Sequence, residues 1–112
     1  MRASTEEVLR ELKLLAHHTQ EKHKEAFKKI KEPILLEVRL EDGKNFYFLI
    51  NQEGIHFVED SIKVKNKVIV AYKDLLRLIE KPSKVVRYLL EGRLRVEGDY
   101  LNVLDTLNRL FV

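Results

Sequence analysis

The sequence predicts one small α/β domain, residues 1–112, with an extended middle enclosed by helices. Three observations carry this. Apolar residues recur at helical spacing over residues 4–31 and again after residue 72. Between them the period changes from helical to alternating, punctuated by Asp42-Gly43 and Gly54. The chain has 112 residues, 45% of them hydrophobic, which suits one buried core rather than two.

Ser4 and Glu7 have capping-box spacing, and Val8, Leu12 and Leu15 lie on one helical face. Ala26, Phe27 and Ile30 resume that stripe after HHTQEKHK, which is polar all round. The segment is either one long helix or two with a break near His18 to Gln20, and Pro33 ends it. Leu36, Val38 and Leu40 then alternate with Glu37, Arg39 and Glu41. KNFYFLIN is apolar on both faces, as a strand inside a sheet is, and GIHFVED gives a third, short strand. SIKVKNKVIVAY continues extended, with Asn66-Lys67 a turn or a bulge. KDLLRLIE is a short helix closed by Pro82. Ser83 is placed to cap KVVRYLLE, which stops at Gly92. RLRVE is a strand, Gly98 turns the chain, and Asp99 can cap a final helix with a broad apolar face. Residues 36–40, 45–50, 55–58, 68–72 and 93–97 are expected to form one sheet. Arg93, Arg95, Lys63 and Lys65 are expected on its face away from the helices.

Composition excludes several function classes. There is no cysteine, hence no disulfide, thiol nucleophile or cysteine-based zinc site. His17, His18 and His23 cluster beside Lys22 and Lys24, which repel a cation, and read as surface residues rather than metal ligands. Ser4, Ser61 and Ser83 read as cap or turn residues, and no Gly-x-Ser-x-Gly elbow or phosphate-cradling loop occurs. The sequence therefore predicts no enzyme, no cofactor and no metal. Lysines from Lys22 to Lys31 are interspersed with Glu21, Glu25 and Glu32, a solvated helix face rather than a specific nucleic-acid surface. The net charge of +3 permits an anionic partner such as a membrane surface. Charged residues reach 35%, with abundant Lys and Glu, a usage that resembles that of thermophiles. No apolar run approaches a membrane span, and MRASTEEVLRELKL lacks a signal-peptide centre, so a soluble, cytoplasmic protein is expected.

The segment VIVAYKDLLRLIEKPSKVVRYLLEGRLRVEGDYLNVLDTLNRL resembles the C-terminal half of the sterol-carrier-protein type-two domain. Gly92, Leu94, Val96, Gly98 and Asp99 match that family's Gly-x-Leu-x-Val-x-Gly-Asp. The hairpin LLEVRLEDGKNFYFLINQEG and the two-part N-terminal helix are similar to its first half, while IEKPSK replaces a frequent Thr-Gly-Lys. The resemblance implies an α/β (α+β) fold: a five-stranded mixed, mostly antiparallel sheet with helices packed on one face. It also implies a cavity between sheet and helices that takes a sterol, a fatty acyl chain or another lipid, as a carrier does.

On this reading the candidate ligand-binding residues are Phe46, Phe48, Phe57, Leu78, Val86, Leu89, Leu104, Leu107 and Phe111. A filled core has the same sequence signature. The rival reading is accordingly a non-enzymatic interaction or accessory protein, a homodimer or partner subunit, that uses the same fold.

Overall fold

The computed structural model describes residues 4–111. Helix α1 runs Thr5–Lys22, and the Ser4 hydroxyl accepts the Glu7 backbone N–H at its start. The helix continues through the polar segment and breaks at His23, three residues beyond the expected place, before α2 at Lys24–Lys28. The reason lies in Gln20. Its Oε1 accepts from the Ile55 N–H at 3.2 Å and its Nε2 reaches the Glu53 carbonyl at 3.4 Å. This latch to the hairpin keeps α1 helical past residues 18–20. The turn at His23 then lets Phe27 and Ile30 reach the core.

The strands are β1 (Ile34–Arg39), β2 (Asn45–Asn51), β3 (Gly54–Val58), β4 (Asn66–Ala71) and β5 (Leu94–Glu97). They form one sheet in the order β3-β2-β1-β4-β5. Only β1 and β4 pair parallel, with Leu36 beside Val68, and the remaining pairs are antiparallel. The connection 59–65 passes β2 and β1 to make that parallel pairing. The sheet is therefore mixed and mostly antiparallel.

Beyond β4, α3 (Tyr72–Glu80) follows without a loop. Pro82–Lys84 form a 3-10 turn leading into α4 (Val85–Leu90), and Ser83 lies inside that turn rather than capping the helix. Gly92, at φ +78°, closes α4: its N–H bonds the Leu89 carbonyl and the Arg93 N–H bonds that of Tyr88. Asp99 caps α5 (Tyr100–Phe111) through its Oδ1, which accepts the Asn102 N–H at 3.2 Å.

One apolar cluster extends from Val8 to Leu110 and takes the inward side chains of the sheet, among them Ile34, Val38, Phe48, Ile50, Val68, Val70 and Leu94. On the other face Glu37 is buried between two cations, with Arg39 at 2.7 Å and Lys67 at 3.1 Å. Burial alone raises its carboxyl pKa, but the hydrogen bonds and charges of Arg39 and Lys67 outweigh this and hold it below the ordinary value.

The expected cationic stripe on that outer face does not form. Arg95 lies on β5, but Arg93 precedes the strand and sits over the Tyr88 ring at 5.2 Å. Lys63 and Lys65 belong to the connection, and Lys65 pairs with Glu32 at 3.7 Å. The segment around Lys63 is unpaired because the chain there is crossing the sheet rather than joining it.

Candidate functional site

Helices on one side of a twisted sheet leave space where neither layer's side chains meet fully. Two such apolar clefts lie between sheet and helices. The first, about 30 Å³, is walled by Leu36, Ile50, Val68, Val70 and Leu94 from the sheet. Leu75, Leu78, Val85, Leu107 and Phe111 from the helices complete it. No polar residue lines it. The second, about 40 Å³, lies toward α1 and is bounded by Leu12, Leu15, Ala16, Thr19, Phe48, Ile55 and Ile79. Leu36, Leu75 and Phe111 line both clefts and so stand between them.

These volumes hold a few water molecules at about 10–15 Å³ each. A small-molecule site usually offers about 300–1,000 Å³. A lipid chain therefore requires the wall to move. Phe111 is the side chain best placed for this, since it is half-buried and shared by both clefts.

The nine candidate residues divide by position. Leu78, Leu107 and Phe111 line the first cleft, and Phe48 and Phe111 the second. Phe57 makes edge contacts with Phe48 at 5.6 Å and with Phe46 at 6.2 Å, and the Lys13 ammonium covers its ring at 4.7 Å. Phe46 and Phe57 thus support the wall rather than line it. Leu89 packs against the core outside both clefts. Leu104 is half-buried and lines neither. Val86 is 64% exposed and faces away from the sheet, because the 3-10 turn rotates α4 so that Tyr88 enters the core instead. Sequence reasoning missed Leu36, Leu75 and the β4 valines, whose alternation did carry the signal.

His17 and His18 are exposed on α1, and His56 Nε2 meets Asn51 Oδ1 at 3.2 Å across the β2–β3 hairpin. No group of three or more potential metal ligands occurs among the described residues. No helix there is long and apolar enough to cross a membrane.

The SCP-2 sterol transfer family matches residues 12–111. The chain belongs to this family. It therefore joins domains of the lipid- and sterol-carrier type. No curated protein sequence matches it. Among solved structures it is similar to palmitated SCP2L2 from Aedes aegypti, with 14% identity, 98% of this chain and 96% of that one covered, and a TM-score of 0.68. The sterol carrier protein domain 2 of Helicoverpa armigera shares 16% identity, with 98% and 94% covered and a TM-score of 0.66. Sterol Carrier Protein 2 from Yarrowia lipolytica shares 15%, with 84% and 80% covered and a TM-score of 0.63. At these identities the likeness to solved structures shows the fold alone, a five-stranded mixed sheet with helices.

Proposed function

We propose that this chain is a non-enzymatic carrier that takes up a lipid, a sterol or a fatty acyl chain between its sheet and helices. The observation that carries the reading is the meeting of two apolar clefts at Phe111, the first without a polar lining residue. Family membership supports it, and one of the structural relatives is described as palmitated. Each buried methylene of such a ligand contributes about 0.8 kcal/mol, so a long acyl chain can offset the displacement of one aromatic side chain. The wall offers shape and apolar surface but few polar anchors, which favours a range of chains over one exact ligand. Exchange at an anionic membrane is part of this reading, since the chain carries a net charge of +3.

A fluorescent fatty acid or sterol analogue tests the site directly. Saturable binding with micromolar or better affinity supports a carrier, and native mass spectrometry of freshly purified protein reports co-purified lipid and subunit count together. For the membrane step, sedimentation with anionic vesicles should show binding that high salt removes.

The small cleft volumes favour one second reading, an accessory or self-associating protein with a filled core. Val86, Leu90 and Leu101 are large apolar side chains left exposed, and they would lie in its interface. A folded protein that binds no apolar probe and is dimeric in the mass spectrum supports that account.

A further inference from the structure

A third cleft differs from the apolar pair in chemistry. It measures about 90 Å³ and lies where α2 and its trailing residues meet α5. From α5 it receives Asn102, Asp105, Thr106 and Arg109, spaced as one helical face, and from the other side Lys29 and Lys31. Leu107 and Phe111 line the apolar cleft from a different face of the same helix.

The polar groups of this cleft are unevenly satisfied. The Thr106 hydroxyl donates to the Asn102 carbonyl at 2.9 Å, and the Asn102 backbone N–H donates to Asp99. The Asn102 side-chain Nδ2 is buried and has no hydrogen-bond partner among the described residues. A buried amide donor without an acceptor is costly to leave so. Lys29 and Lys31 make no ion pair among the described residues. Arg109 pairs with Asp105 at 3.3 Å, but a guanidinium has five donors and one carboxylate does not exhaust them. Three cations thus stand against one carboxylate in the lining of this cleft.

The complement is a compact anion with several acceptor oxygens. A phosphate group fits: its oxygens can meet the cations Lys29, Lys31 and Arg109 that line the cleft. At about 10–15 Å³ for each water-sized position, the cleft has room for several such centres, enough for one tetrahedral group. We propose that the α2–α5 cleft is a binding site for a phosphate group. The same chemistry arrives either as inorganic phosphate or as a lipid headgroup. The occupant ties α2 to α5.

Titration of ¹⁵N-labelled protein with sodium phosphate, at constant ionic strength against chloride, reads the Asn102 side-chain amide directly. A saturable shift with a Kd on the order of 1 mM or tighter is expected, the scale of a few exposed charge-assisted contacts. Lys31→Gln, at an exposed position, should weaken binding about ten-fold, the effect of losing one such contact. Asn102→Asp adds a second carboxylate to the cleft lining and should abolish the shift of the neighbouring backbone amides, and the distant Lys84→Gln should change nothing. Vesicles of phosphatidic acid in phosphatidylcholine form the second arm. If they move the same amides and inorganic phosphate displaces the protein from them, the source is a headgroup. If phosphate binds and the vesicles leave these amides unmoved, the source is the soluble ion. No saturable shift, an equal response to chloride, or unchanged affinity in Lys31→Gln overturns the site, and the exposed lysine variant decides this even where Asn102→Asp fails to fold.

Discussion

Asn66 and Asp99 are joined across the fold: the buried Asn66 Oδ1 accepts the Asp99 backbone N–H at 2.9 Å. Asn66 Nδ2 donates to Glu32 at 3.1 Å. One side chain therefore links the segment entering β1, the first residue of β4 and the cap of α5. Asn66→Ala should destabilise the protein by about 2–3 kcal/mol, because it removes two hydrogen bonds, one of them to a carboxylate. Urea unfolding should show a lower midpoint with an unchanged slope.

Gly98 precedes the same junction at φ +99°, and a Cβ there would strike Asn66 Oδ1 and the Lys65 carbonyl. Gly98→Ala should cost about 2 kcal/mol or more from backbone strain and displacement together. The double variant with Asn66→Ala should cost less than the sum of the two, since one obstacle is already gone. Strict additivity in a double-mutant cycle would show that the two residues act separately.

Glu37 sets a pH dependence. Its folded pKa lies below the ordinary 4.5, so its bonds contribute stability that is present above pH 4.5. That contribution is lost as pH falls through the folded value. Glu37→Gln should lower stability at neutral pH by about 1–3 kcal/mol, as Arg39 and Lys67 lose their shared carboxylate. Below pH 4.5 its unfolding midpoint should fall less steeply than that of the parent. Parallel acid profiles would exclude Glu37 as a source of acid sensitivity.

Much of this was legible in the sequence, and for particular reasons. Alternation and the Asp42-Gly43 turn placed β1 and β2, and the Gly92, Gly98 and Asp99 punctuation placed β5 and α5. Asn66-Lys67 reads as a turn or a bulge in the sequence because a buried polar residue at a strand start looks like one without its distant partners, Glu32 and Asp99. Val86 is exposed, against the sequence expectation, because a helix of six residues is too short to fix its own phase, which the preceding 3-10 turn sets. The phosphate-type cleft had no local motif, because Lys29 and Asn102 meet only through the packing of α2 on α5.

Leu107 tests how firmly the first cleft is closed. It is buried against a space of about 30 Å³. Leu107→Phe should cost about 1–3 kcal/mol if that wall is rigid. If the wall yields as a carrier requires, the melting temperature should hold while probe binding falls. Melting and fluorescence measured on the same sample separate these outcomes.

Phe111 offers the sharper experiment because it lines both clefts and is only half-buried. Phe111→Ala should join them into one continuous apolar space. The stability lost should be about 1–2 kcal/mol, below the 3–5 kcal/mol of a fully buried phenylalanine. Binding of a long-chain fluorescent fatty acid should tighten about ten-fold, since the ligand no longer has to displace the ring. The off-rate should rise with it if the ring also retains the chain, so both rate constants need measuring by stopped flow. A folded variant that binds no probe, beside a parent that binds none, would reject the carrier and leave the exposed Val86, Leu90 and Leu101 as the better guide to function.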